Sequence, residues 1–168
     1  SQTNPLGGTS VYAYDGNGNL VKHTDENGVA SSYTYDGNDN LTGVTDGNGN
    51  TYTYEYDELD RLIKEVSAMG RVQEYRYDAL GNLTKYKDPM ELVTEYEYDV
   101  AGNMIKEISP KGLETLYGYD KHGNVTSVTD PMGNVTEYGV NLNGNVTKIT
   151  LPNGGEYRYA YDKAGRIT

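Results

Sequence analysis

Polar and apolar residues alternate along this chain in short runs, and each run ends among Gly, Asn, Asp or Pro. Glu74-Tyr75-Arg76-Tyr77-Asp78 is one such run, and Leu83-Thr84-Lys85-Tyr86-Lys87 is the next. Alternation with a period of two, rich in Tyr, Val, Ile and Thr, predicts strands with two chemically distinct faces. Gly or Pro interrupts too often for an apolar period of roughly 3.6 residues to last the dozen or so that a stable helix needs. The pattern predicts β-structure throughout and no helix.

The runs themselves recur. Tyr-x-Tyr-Asp returns every 21 residues, at Tyr12-Ala13-Tyr14-Asp15, Tyr33-Thr34-Tyr35-Asp36, Tyr54-Glu55-Tyr56-Asp57 and Tyr75-Arg76-Tyr77-Asp78. It continues at Tyr96-Glu97-Tyr98-Asp99 and Tyr117-Gly118-Tyr119-Asp120, degrades to Tyr138-Gly139-Val140-Asn141, and resumes at Tyr159-Ala160-Tyr161-Asp162. With the motif Asp as position zero, position +3 is Gly (Gly81, Gly102 and Gly123 among them) except at Asp39 and Asp60. Asp tolerates a left-handed backbone better than most residues, so the exceptions also predict a turn with positive φ. Position +5 is always apolar, from Leu20 to Ile167, and Gly recurs at +13 with Glu91 as the one exception. All five prolines (Pro5, Pro89, Pro110, Pro131, Pro152) fall at +11.

A fixed short period marks a repeat architecture whose units lean on their neighbours. Each period reads as two strands and two turns: one strand from about +14 to the motif Asp, another from +5 to about +9. The two motif Tyr share a face; if the tight loop spans +1 to +4, that face also collects +6 and +8, such as Ile63, Thr84, Val44 and Val128, and a one-residue change of register would swap the faces. The fold class is all-β: an antiparallel hairpin meander of about 15 strands, roughly 70 Å wide if flat, curling into a strip or spiral. Residues 1–168 read as a single array of eight 21-residue repeats without an internal boundary, beginning and ending within a repeat. That length predicts an excised segment of a longer array, with open strand edges that invite self-association.

Composition sharpens this picture. The chain has 18 Tyr but no Phe, Trp or Cys, and only Tyr52, Tyr86 and Tyr157 lie outside the motif columns. Tyr buries a ring while keeping its hydroxyl wet, which suits a sheet one layer deep. Apolar content of 35% argues against a thick core. The 25 acidic against 14 basic residues, with no basic cluster, disfavour nucleic acid. No stretch approaches the ~20 apolar residues of a membrane span, so membrane insertion is not expected.

These columns carry a family resemblance. Tyr159-Ala160-Tyr161-Asp162-Lys163-Ala164-Gly165-Arg166-Ile167-Thr168 resembles the RHS repeat, or YD repeat, whose pattern runs approximately Tyr-x-Tyr-Asp-x-x-Gly-Arg-Leu-Thr. Tyr75 to Thr84 departs from it only in Asn82 for Arg, and the resemblance covers essentially the whole chain. It implies a spiralling β-strip that closes into a hollow shell in long members. In bacterial toxin complexes and polymorphic secreted toxins such shells enclose a C-terminal toxin domain. In animal teneurins a related barrel serves cell-surface adhesion. The implied partner is an enclosed toxin domain of the parent protein, and the implied location is secreted or on a bacterial surface. The family's self-cleaving core segment is not seen here.

Candidate chemistry is thin. His23 and His122 sit in different columns without recurring partners, and the absence of Cys removes thiol nucleophiles and thiolate metal sites. The motif Asp recurs in seven copies, as expected of a turn acceptor rather than of a single catalytic group. No enzyme activity and no cofactor are expected. Asp15-Gly16-Asn17-Gly18-Asn19 and Asp36-Gly37-Asn38-Asp39-Asn40 resemble the start of a calcium loop but lack its later Gly and Glu. Two functions remain: a structural scaffold that encloses or displays a toxin domain, and a module that stacks exposed Tyr rows on a cell-surface polysaccharide. The Tyr columns are needed simply to join the strands, which favours the scaffold.

Overall fold

The computed structural model describes residues 1–4 and 7–168; Pro5, one of the five turn prolines, lies outside the described residues. Among the described residues there is no helix, and sixteen antiparallel strands follow chain order through the sheet. After β1 (Gln2–Thr3), the six-residue strands are β2 (Thr9–Tyr14), β4 (Ala30–Tyr35), β6 (Thr51–Tyr56), β8 (Val72–Tyr77), β10 (Val93–Tyr98), β12 (Glu114–Tyr119) and β14 (Val135–Val140). Between them lie five-residue strands: β3 (Leu20–Thr24), β5 (Leu41–Thr45), β7 (Leu62–Val66), β9 (Leu83–Lys87), β11 (Met104–Ile108), β13 (Val125–Thr129) and β15 (Val146–Thr150). The series ends at β16 (Glu156–Arg158). The short strands occupy +5 to +9 as expected, and the long ones run from +15 to +20. Contacts divide the chain into two units, Ser1–Arg76 with Lys87–Glu91 and Tyr77–Tyr86 with Leu92–Thr168. The registers described next hold within each unit.

One irregularity recurs with the period. Tyr12 pairs with His23 and Ala13 with Lys22, yet Tyr14 pairs with Leu20, leaving Val21 as an extra residue in a β-bulge. The same slip falls between Thr34 and Tyr35, and between Glu55 and Tyr56, in the first unit. It falls between Glu97 and Tyr98, Gly118 and Tyr119, and Gly139 and Val140 in the second. The following strand pair has no such slip.

The bulge follows from parity. Side chains alternate faces with a period of two, and both turns of a repeat close from residue i to i+4, so a repeat of odd length on a plain ladder would turn each copy over. Tyr33 pairs with Val44 and Val44 with Tyr52, two positions short of Tyr54, the repeat equivalent of Tyr33. Each repeat therefore slides by an even number of residues, and the Tyr columns stay on one side. Without the bulge the slide would be one residue, and alternate repeats would present opposite faces.

The registers sort the columns. The Tyr face holds both motif Tyr with +5 and +8; Tyr117 pairs with Val128 and Tyr119 with Val125. Position +6, expected on this face, lies on the other, because the bulge places it beside +7. Ile63 is the extra residue there, the Thr42 hydroxyl donates to Thr34 Oγ1 at 3.1 Å, and the Thr147 hydroxyl donates to the Gly139 carbonyl at 3.1 Å. The opposite face carries Lys at +7 between flanking Glu. Lys64 Nζ lies 2.7 Å from Glu55 Oε1, Lys85 Nζ 2.7 Å from Glu95 Oε1, and Lys106 Nζ 2.8 Å from Glu114 Oε1. Exposed ion pairs of this kind contribute little each. No hydrophobic side chain among the described residues is fully buried. Stability rests on cross-strand neighbours rather than on a core.

Candidate functional site

The motif turn is built around its Asp. In one copy the Asp120 N–H donates to the Asn124 carbonyl at 2.9 Å, and the Gly123 N–H donates to the Asp120 carbonyl at 3.1 Å. The Asp120 carboxylate accepts the backbone N–H of His122 at 2.8 Å and of Asn124 at 3.0 Å. Its second oxygen accepts the Asn124 side-chain amide at 2.9 Å. Gly123 supplies φ of +82° to close the loop, and Asp39 and Asp60 adopt φ of 65° and 58° at the same column, as expected. Glu91, also at positive φ (65°), was not singled out by its residue type.

The Asn at +4 has a second duty, since its amide caps the carboxylate. In the motif turns of Asp78, Asp99 and Asp120 that amide is the largest of the bonds holding the carboxyl below its usual range, and Asn50 and Asn134, at +14, do the same for Asp46 and Asp130 in the second turn. In Asp57 the Arg61 side chain does the same work, at 2.7 Å. All of these bonds stabilise the ionised form.

Neighbouring turns also join. The side-chain amides of Asn17 and Asn19 both donate to Asp39 Oδ1, at 2.8 and 2.6 Å. Asn38 and Asn40 do the same to Asp60 Oδ1, at 2.9 and 2.6 Å. Of the oxygens that suggested calcium, Asp39 Oδ1 accepts from the preceding turn, while the carboxylates of Asp15 and Asp36 accept N–H groups of their own turns.

The second motif Tyr works at the bulge. The hydroxyls of Tyr35, Tyr56, Tyr119 and Tyr161 donate to the carbonyls of Leu20, Leu41, Met104 and Val146, at 3.0, 3.0, 2.8 and 2.7 Å. Each acceptor is the +5 residue of the preceding repeat, beside the bulge, so the phenol caps a backbone group and staples one repeat to the last. The first motif Tyr packs across the strand pair. The Tyr12 ring stacks on His23 with centroids 4.7 Å apart and planes 18° apart. Burial raises the hydroxyl pKa of Tyr54, Tyr56, Tyr96, Tyr98 and Tyr117 above its usual range. His122 reaches the motif turn through its backbone N–H, so the two histidines belong to different structural settings. The repeat columns come together as joints between strands and turns; the +5 carbonyl is the part that residue type alone did not mark, and the Lys column at +7, visible at Lys22, Lys64, Lys85, Lys106 and Lys148, is a further part of the design.

Residues 7–139 match the family model described as the teneurin YD-shell. The chain belongs to this family. Residues 141–168 match the model described as the RHS repeat. No curated protein matches by sequence. Among solved structures, a chain of TcdB2-TccC3-Cdc42 superposes with a TM-score of 0.70 at 20% identity, over 95% of this chain and 10% of that one. A chain of TcdB2-TccC3 without its hypervariable C-terminal region gives the same values: TM-score 0.70, 20% identity, 95% and 10% coverage. A chain of the Photorhabdus luminescens Tc holotoxin pore gives a TM-score of 0.69 at 20% identity, with 95% and 10% coverage. The likeness is one of fold, and this YD-shell chain spans about one tenth of those chains.

Proposed function

We propose that this YD-shell chain is a stretch of wall in a larger secreted or surface-exposed β-shell that encloses or displays a toxin domain, and that it performs no chemistry itself. The observation that carries the reading is the bulge with its tyrosine staple. A slide of two residues per repeat is about 7 Å along the strands for about 9.6 Å of sheet width. That ratio corresponds to a strand tilt of about 35°, the range in which sheets wrap around an axis. A device repeated in phase propagates the same turn at every step. The structures superposed above belong to Tc toxin assemblies, which supports the toxin as cargo. The four tyrosine hydroxyls spent on backbone carbonyls support structural duty over a sugar-stacking platform.

Protease protection in the full-length product tests this. A domain inside the wall resists a protease that digests the same domain expressed alone, and becomes cleavable when Gly123→Val opens a turn in the wall. Equal digestion of the free and attached domain overturns the proposal.

A further inference from the structure

Seven of the eight motif copies carry Tyr as their second aromatic, and Val140 stands where the remaining one would be. An open hollow of about 380 Å³ lies beside Val140, lined chiefly by Tyr117, Val125, Val128, Tyr138, Val140 and Val146. Every one of those residues is uncharged, and all sit in columns of the Tyr face. The volume lies within the roughly 300–1,000 Å³ typical of small-molecule sites.

The neighbouring repeats show what fits there. In the preceding copy the Tyr119 hydroxyl donates to the Met104 carbonyl at 2.8 Å, and in the following copy Tyr161 donates to the Val146 carbonyl at 2.7 Å. In both cases the acceptor lies 15 residues before the donor. The corresponding acceptor for position 140 is the Val125 carbonyl, and Val140 has no hydroxyl to offer it. The register is otherwise intact, with Val140 paired to Val146 across the same bulge.

We propose that this hollow is a binding site for a small para-alkylphenol. The ring fills the space between Tyr117 and Tyr138, and its hydroxyl donates to the Val125 carbonyl, as Tyr119 and Tyr161 do in their own repeats. The alkyl group points to the sheet, where a tyrosine side chain would join the backbone. Aromatic contact and one hydrogen bond then discriminate a phenol from a plain alkylbenzene.

A titration of the whole chain with 4-ethylphenol, read by valine methyl NMR, tests the site. Shifts are expected at Val125, Val128, Val140 and Val146, with Val21 and Val44 unmoved. Ethylbenzene should bind roughly tenfold more weakly, the size of one lost hydrogen bond. Val140→Tyr, which supplies the missing group from within the chain, should abolish the shifts at Val125 and Val146. Val140→Phe, which fills the hollow without a hydroxyl, should do so as well, and serves if the tyrosine variant does not fold. Absence of shifts up to the solubility of 4-ethylphenol, equal binding of ethylbenzene, or unchanged binding by the filled variant overturns the proposal.

Discussion

Each repeat has two turns, and their backbones are nearly the same. At Asp120 the turn is closed by its N–H to the Asn124 carbonyl; at Asp130 the N–H reaches the Asn134 carbonyl, again at 2.9 Å. The carboxylate of Asp130 accepts the N–H groups of Met132 and Asn134 and the Asn134 amide, as Asp120 does in its own turn. Yet the motif row keeps Asp in every copy but Asn141, while the second row admits Ser67, Ser109 and Leu151. Leu151 offers no acceptor at all, and its turn still closes, with its N–H 2.8 Å from the Gly155 carbonyl. The turn geometry therefore does not require the carboxylate. What separates the rows is the bulge, which adjoins the motif turn alone. A strand end with one residue too many has more ways to pair wrongly, and the Asp and the stapling Tyr together hold it in one.

The largest expected effect comes from breaking the staple. Tyr119→Ala removes the ring and the cap on the Met104 carbonyl and should cost about 3 kcal/mol, the low end for aromatic truncation because the ring is only half-buried. Tyr119→Phe should cost about 1 kcal/mol, the hydroxyl alone. Urea unfolding measures both, and equal losses would show that the hydroxyl and not the ring joins the repeats.

Gly123→Val and Gly133→Val compare the rows directly, since both glycines sit at φ of +82°. Each should cost about 2 kcal/mol in the same assay, from a β-branched residue held at positive φ. An added Cβ at Gly133 meets open space, whereas at Gly123 it comes 3.4 Å from Asn103 Oδ1. The motif-row variant should therefore be slightly the worse of the two.

Acid should weaken the motif row more than the second row. The seven motif Asp carboxyls have lower pKa values folded than unfolded, so their contribution is complete above the usual carboxylate range. It is lost as pH falls through the depressed folded values. In an acid titration followed by amide NMR, His122 and Asn124 should shift as Asp120 protonates. Leu113 of the second row, which donates to the uncharged Ser109 hydroxyl, should not. The smallest effect expected is a gain: Leu151→Asp should add about 0.5 kcal/mol by giving that turn the acceptor its siblings have.

Much of this was legible in the residues, because a repeat averages away the ambiguity of any one strand. The +5 to +9 strands, the left-handed turn positions and the lack of helix among the described residues all follow from columns that agree with one another. The face of +6 did not follow. Val21, Thr42, Ile63 and Ile105 look like ordinary strand residues, and a bulge leaves no mark in residue type. The odd length of the period was the available signal, since an odd repeat with alternating faces and two turns of equal size needs one unpaired residue in a strand. The tyrosine staple was hidden for the same reason, because its acceptor is a backbone carbonyl that the side-chain pattern does not report.

The unpaired residue has a consequence for how such arrays change over time. Dropping a residue at the bulge leaves every downstream side chain on its own side, since the ladder simply closes over the gap. Dropping one from a regular stretch such as Val135–Val140 would exchange aromatic for charged neighbours in all that follows. Loss of the bulge residue, like gain or loss of entire copies, thus keeps the faces of all that follows in phase.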